Sequence, residues 1–352
     1  MRQQPEGIGV LDIVGRRGWF YLASFLFLLP GVISLLIPPS LKPGIDFTSG
    51  STFTVRFEKS VTKSQLNDEL STLGHDEARV QSTGSNEFIV HTKELRGAAT
   101  APPVGPAPST EKDTIEKGLR DKFGNMTDAQ GKASTTQGFL EFSSISATLS
   151  KEIARNAGIA LIVASLAIFV YLWYSFRLVP KPFRFGAAAI LALLHDVLLV
   201  VGVFSILGKT LDYEINSFFI TALLTVIGFS VHDSIVVFDR IRETVGRGEG
   251  RNFSEMVNNS LLQTLGRSLN TSLTLIFAIV TLLVIGGDSI REFLVAMLVG
   301  TVTGVYSSVF IASQILVSWD EGDVPRLFRR LTGRPERPVE HMELPQATPA
   351  EA

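Results

Sequence analysis

Long apolar runs alternate with short polar breaks over most of the chain. A helix that crosses a bilayer needs about 20 mostly apolar residues. Six stretches meet that length. They are WFYLASFLFLLPGVISLLI at 19–37, AGIALIVASLAIFVYLWY at 157–174, FGAAAILALLHDVLLVVGVFSIL at 185–207, and three more near 215–239, 269–286 and 293–317. The first follows Arg16 and Arg17 in the manner of a signal peptide. IPPSLKPG comes next, with no small-residue cleavage pattern, so an uncleaved anchor is expected. Pro30 inside it is expected to kink the helix.

Between the first two spans the pattern changes. STFTVRFE (51–58) alternates with the period of a strand. VTKSQLNDELSTLG (61–74) reads as a helix, with Thr62 as its cap and Gly74 as its stop. EARVQSTGSNEFIVHT (77–92) reads as two strands around a Gly-Ser-Asn turn, TEKDTIEKGLRDKFG (110–124) as a second helix, and QGFLEFSSI (137–145) as a last strand. The order β-α-β-β-α-β predicts a ferredoxin-like fold. The Pro/Ala/Gly-rich stretch 97–110 is expected to be a mobile insertion. The predicted fold class is therefore an α-helical polytopic membrane protein with six transmembrane helices and an α+β ferredoxin-like external domain after the first. The boundaries read as a short segment 1–18, a span 19–37, the domain 38–155, a five-helix bundle 156–318 and a disordered tail 319–352.

Composition and charge refine this picture. The 352 residues are 45% hydrophobic, and the 24 Phe against 5 Met suit a lipid-facing protein. The net charge of −2 gives no footprint for nucleic acid, and the lack of cysteine excludes disulfides, thiolate metal sites and thiol nucleophiles. Lys and Arg are distributed unequally. One side of the spans has Arg2, Arg16, Arg17, Arg177, Lys181, Arg184, Arg240, Arg242, Arg247, Arg251, Arg267 and the tail from Arg326. The short loops of the other side carry only Lys209 and Arg291. By the positive-inside rule both termini are cytoplasmic and 38–155 lies outside.

The apolar spans contain ionisable residues, which are costly in a bilayer and commonly face a bundle interior or water. His195 and Asp196 fall near the middle of the third span, His232 and Asp233 in the fourth. Arg267 is placed at the start of the fifth, ahead of Asn270, Thr271, Ser272 and Thr274. Asp196 suits either a structural hydrogen bond between helices or a place on a proton path. Asp233 suits either a static ion pair with Arg267 or a proton carrier whose affinity changes as the guanidinium approaches and retreats. Asp239, Arg240, Arg242 and Glu243 suit interfacial anchoring and local pairing. His75 and His91 are too isolated for a metal site and read as surface or strand histidines. There is no Walker loop, Ser-His-Asp pattern or dinucleotide glycine motif.

GIDFTSG (44–50), ALLHDVLLVVGVF (192–204), VIGFSVHDSIVVFDRIRE (226–243) and LLQTLGRSLNTSLT (261–274) together resemble the SecF family, subunits of the SecDF accessory complex of the bacterial Sec translocase. The resemblance covers about residues 12–320. It implies a half of an RND-superfamily architecture in the bacterial inner membrane that uses the proton motive force to assist preprotein translocation. It implies Asp233 and Arg267 as proton-transport residues, with His232 and Asp196 as further candidates and Asp239-Arg240 as a helix-end motif. No cofactor is implied beyond the coupling proton. The implied partners are a SecD-like subunit, a SecYEG-type translocon, unfolded preprotein and the lipid bilayer. His232 stands where many relatives have Asn. An RND-type exporter of lipids or small molecules would use the same membrane logic. A membrane aspartyl protease would need Asp196 and Asp233 to share a proton, and its Gly-x-Gly-Asp motif is absent. A structural scaffold would be indifferent to neutralising Asp233.

Overall fold

The computed structural model describes residues 12–84, 86–95, 111–128, 133–134, 138–177, 179, 181–248, 250, 252–287 and 290–323. The expected insertion 97–110 and the tail from 324 lie outside the described residues. The chain divides into two compact units. One holds residues 42–159 with 210–217, and the other holds the rest.

The first unit is built on a four-stranded antiparallel sheet. After a short helix α2 (Ile45–Thr48) come β1 (Gly50–Arg56), helix α3 (Lys63–Thr72), β2 (Arg79–Gly84), β3 (Glu87–Thr92), helix α4 (Glu111–Phe123), a minor hairpin β4 (Met126–Thr127) and β5 (Ala133–Ser134), and β6 (Glu141–Ile145). The strand order β2-β3-β1-β6 is that of the expected ferredoxin-like fold. β1 is central. Phe53 faces Val90 of β3 and Phe142 of β6. Its apolar side chains meet Leu66 and Leu70 of α3 and Ile115 and Leu119 of α4 in one core, which the alternation of β1 and the helical spacing of α3 and α4 dictate. α3 starts on a capping box, in which Thr62 accepts from the Gln65 amide while the Gln65 side chain accepts from Thr62 N–H. His75, expected as a surface or strand histidine, is buried among Thr92, Glu77 and Glu111.

Residues 210–217, an eight-residue connection between two spans, belong to this unit, although no residue pattern marks them as part of a domain. They are bound by the GIDFTSG segment. Gly44 N–H donates to Ile215 O and Ile215 N–H to Lys42 O, both at 2.8 Å. Lys42 Nζ pairs with Asp212 at 2.8 Å and holds its carboxyl below the usual range. Asp46 Oδ2 accepts the amide of Ser217 at 2.5 Å, placing a carboxylate at the N-terminus of the next helix. Gly50 has φ +136°, and a Cβ there would stand 2.5 Å from Thr92 O, so this turn into β1 requires glycine.

The second unit is helical, and five of its helices are long. They are α1 (Arg17–Leu36), α5 (Ala147–Ser175, which begins in the first unit), α6 (Pro182–Thr210), α7 (Ser217–Arg247) and α8 (Phe253–Ile285). The sixth span is composite: α9 (Arg291–Ser307), a π-helical turn at 308–312 and α10 (Ser313–Asp320). All six are long and apolar enough to cross a membrane. Exposed Trp19, Phe27, Ile162, Tyr174 and Phe277 show the lipid-facing side of such helices. α1 runs through Pro30 without interruption. α1 and α6 touch backbone to backbone, because a Cβ on Gly31 would lie 2.8 Å from Gly202 Cα. α7 and α8 have 31 and 33 residues, about 46 and 50 Å against about 30 Å of hydrocarbon. They continue past their apolar windows as charged extensions. α8 therefore begins fourteen residues before Arg267, which is interior to the helix rather than at its start.

Candidate functional site

The polar residues of the spans form two settings on either side of α7. On the α6 and α9 side lies Asp196, 1% exposed. Its Oδ2 accepts Ser230 Oγ from α7 at 2.5 Å and Ser307 Oγ from α9 at 2.6 Å, and its Oδ1 meets His195 Nδ1 at 3.0 Å. Gly300 and Gly304 make this approach possible. A Cβ on Gly300 would overlap the side chain of Val226, and one on Gly304 would stand 3.1 Å from Ser230 Cβ. The π-helical turn starts immediately after Ser307, the kind of local rewinding that helices show near functional groups.

On the α8 side lies Asp233, 8% exposed. Its one hydrogen-bond contact among the described residues is Ser272 Oγ at 3.4 Å. A carboxylate can accept about four hydrogen bonds, so Asp233, with one, is thinly supported where Asp196, with three, is well supported. Beside it is a cavity of about 20 Å³ lined by residues that include Ser230, His232, Thr271, Ser272 and Thr301. His232 is next to Asp233 in sequence but turned to the exposed flank of α7.

Arg267 does not meet Asp233. It is exposed, and it lines a separate cavity of about 570 Å³ with Asp239, Arg240, Glu243, Gln263 and Thr264. No ion pair holds it among the described residues. The α7–α8 register gives its height. Asp233 meets Ser272, Arg240 Nε donates to Gln263 Oε1 at 2.5 Å, and Ser260 Oγ meets Thr244 Oγ1 at 2.9 Å. Antiparallel continuation puts Arg267 level with Val236 and Val237, about one turn or 5 Å along the axis from Asp233. Asn270, Thr271 and Thr274 continue an exposed polar strip along α8. Asp239 pairs with Arg242 at 2.6 Å, and Glu243 pairs with both Arg240 and Arg247. These are local helix pairs, each worth a few tenths of a kcal/mol.

The sequence thus located Asp196, Asp233, Arg267 and Ser272, but not how they are grouped. Ser230 lies unmarked inside VIGFSVHDSIVVFDRIRE, and the one mark of Ser307 is a Ser-Ser step in an apolar run. Asp196 and Asp233 have separate partners, so the shared-proton arrangement of an aspartyl protease is not built here.

Comparison with known proteins identifies the family of the chain. The C-terminal model of the protein export membrane proteins SecD/SecF matches residues 126–322, and the SecD/SecF GG motif matches residues 41–61. That motif is the segment that binds the 210–217 loop. Protein translocase subunit SecF of Thermobaculum terrenum is 46% identical over 321 residues, covering 91% of this chain and 98% of that one. Protein translocase subunit SecDF of Bacillus subtilis is 36% identical, over 88% of this chain and 38% of the longer one. The crystal structure of SecDF from Thermus thermophilus, a translocon-associated membrane protein, matches with a TM-score of 0.71 at 30% identity, over 91% of this chain and 40% of that chain. The chain belongs to the SecD/SecF family of protein export membrane proteins, as a SecF-type accessory subunit of protein translocation.

Proposed function

We propose that this subunit converts the proton motive force into assistance for preprotein export, with Asp233 binding the proton and Arg267 acting as the charge that makes it leave. The observation that carries this reading is the thin support of Asp233. A carboxylate buried in an apolar helix with one 3.4 Å contact is costly unless its charge is neutralised. Proton uptake neutralises it from within. A guanidinium about one turn away on the facing helix neutralises it from outside once the helices shift. The two states exclude one another, so a shift of α8 against α7 loads or unloads one proton. His232 and the Asp239–Arg240 segment flank this path, His232 on the exposed face of α7 and the charge pairs at its end.

The partner is a SecD-type half in a separate chain. The match to 38–40% of SecDF chains supports this, as does a polar strip on α7 and α8 that would otherwise face lipid. The complex sits in the bacterial inner membrane with both termini cytoplasmic, an orientation supported by the Lys/Arg asymmetry. The α+β unit then stands outside, where it meets the unfolded preprotein leaving a SecYEG-type channel. Its hold on the loop before α7, through Lys42, Gly44 and Asp46, gives it a direct covalent route to the helix that bears Asp233.

The test is export in cells or vesicles that carry the assembled complex. Asp233→Asn should lower proton-driven export at least tenfold while the partner still copurifies. Arg267→Lys should impair it partly, since an ammonium lacks the bidentate fork. Wild-type export by an assembled Asp233→Asn complex would replace the proton carrier with a passive scaffold.

A further inference from the structure

We propose that Ser230 passes protons between Asp233 and Asp196, so that the two carboxylates of α7 and α6 work as one exchanging pair. This rests on the proton-binding role of Asp233 and adds a second store and the residue that connects them.

Ser230 belongs to both settings. Its hydroxyl donates to Asp196 Oδ2 at 2.5 Å, and it also lines the 20 Å³ cavity beside Asp233. That volume accommodates one water molecule, which needs two to four polar partners. The cavity offers them. Asp233, Ser230 and Ser272 line it, and so does Thr301, whose buried Oγ1 has no hydrogen-bond partner among the described residues. Thr301 is 5% exposed, and a buried hydroxyl without a partner calls for one. A water at this point completes a chain from Asp233 through the water and Ser230 to Asp196.

The transfer balances. Protonated Asp233 gives its O–H proton to the water, and the water gives one of its hydrogens to Ser230 Oγ. Ser230 in turn gives its former hydroxyl hydrogen to Asp196 Oδ2. One proton has left Asp233 and one has arrived at Asp196, while water and serine are restored. The reverse sequence returns it. His195 positions Asp196 from the other side, its Nδ1 at 3.0 Å from Oδ1, and leaves Oδ2 to the two serines. No other charged side chain contacts Asp196 among the described residues.

Ser230 and Ser307 provide the control, because each donates one hydrogen bond to the same oxygen but only Ser230 also reaches the cavity. Ser230→Ala and Ser307→Ala each remove one oxygen and keep the Cβ that packs, and Thr301→Val keeps its shape. Proton flux is measured in vesicles holding the complete complex, with copurification of the partner as the assembly check. Ser230→Ala and Asp196→Asn should each lower flux at least fivefold, Thr301→Val should lower it in the same direction, and Ser307→Ala should stay within twofold of wild type. Equal losses for Ser230→Ala and Ser307→Ala would mean that the serines merely position Asp196, and the relay is wrong. Wild-type flux in Ser230→Ala together with lost flux in Asp233→Asn would also overturn the relay while leaving the proton role of Asp233 intact. Wild-type flux in Asp233→Asn would remove both.

Discussion

In the α+β unit, His91 lies on β3 with its Nδ1 at 3.0 Å from Thr52 Oγ1. Burial, with Lys42 and Arg79 nearby, lowers its pKa to about 4, so it is neutral at neutral pH. Several charged groups of that unit are matched in pairs, Lys42 with Asp212, Arg56 with Glu87 and Arg120 with Glu116. In the helical unit, Asp196 is matched too, by three donors, but Asp233 has one long contact and its natural counter-charge lies a turn away. The difference is one of support. A buried polar group with several donors in place helps to fix how helices or strands pack, and at Asp196 the same donors hold the acceptor end of the relay in position. One that lacks them is poised to change state, because either a proton or a moving charge improves its position.

That contrast can be broken most forcefully by truncation. Asp196→Ala strands the Ser230 hydroxyl and His195 Nδ1 in an apolar interior and leaves Ser307 only Gly304 O at 3.2 Å, and should cost about 3 kcal/mol of stability. Asp233→Ala strands little and should cost under about 1 kcal/mol. Unfolding of both variants in a lipid–detergent mixture checks the order; a larger loss at Asp233 would mean that it, too, is architectural. His91 gives a smaller effect. Held near 4 in the folded chain against an ordinary 6.5, it is protonated first in the unfolded chain as pH falls. Its contribution is intact well above 6.5 and is lost as pH drops toward 4, by about 1.6 kcal/mol between pH 6.5 and 5. Hydrogen exchange of the β1 and β3 amides in the full protein should show this slope, reduced by that amount in His91→Gln. An identical slope in the variant would contradict the neutral, buried histidine. The smallest effect belongs to the exposed pair Asp239–Arg242. Asp239→Asn should change stability by under about 0.5 kcal/mol, and a larger loss would give that pair a structural role.

Much of this was legible in the sequence, and the exceptions have physical causes. The six spans and the βαββαβ order follow from apolar runs and from alternation, which burial enforces. The ends of α5, α7 and α8 do not, because a helix that leaves the hydrocarbon keeps its backbone bonds while its side chains turn polar. For that reason Arg267 seemed to open a helix that begins at Phe253. The β4–β5 hairpin has strands of two residues, too short for any period. The 210–217 loop is tied to residues 42–46 in part by backbone hydrogen bonds, which leave no residue pattern. At the site, ionisable groups in apolar runs were conspicuous, so Asp196 and Asp233 could be named. Ser307 and Thr301 could not, since a hydroxyl in a span usually bonds its own helix, as Thr303 does with Val299 O.

The central claim is that Asp233 itself binds and releases a proton. The infrared carbonyl stretch of protonated carboxyl groups, followed through a pH titration of the assembled complex in lipid, tests it directly. If Asp233 binds the proton, one component of this band rises and falls reversibly in the wild type and is lost in Asp233→Asn, above the background of the other carboxyl groups. The same band, with the same titration, in Asp233→Asn would contradict it.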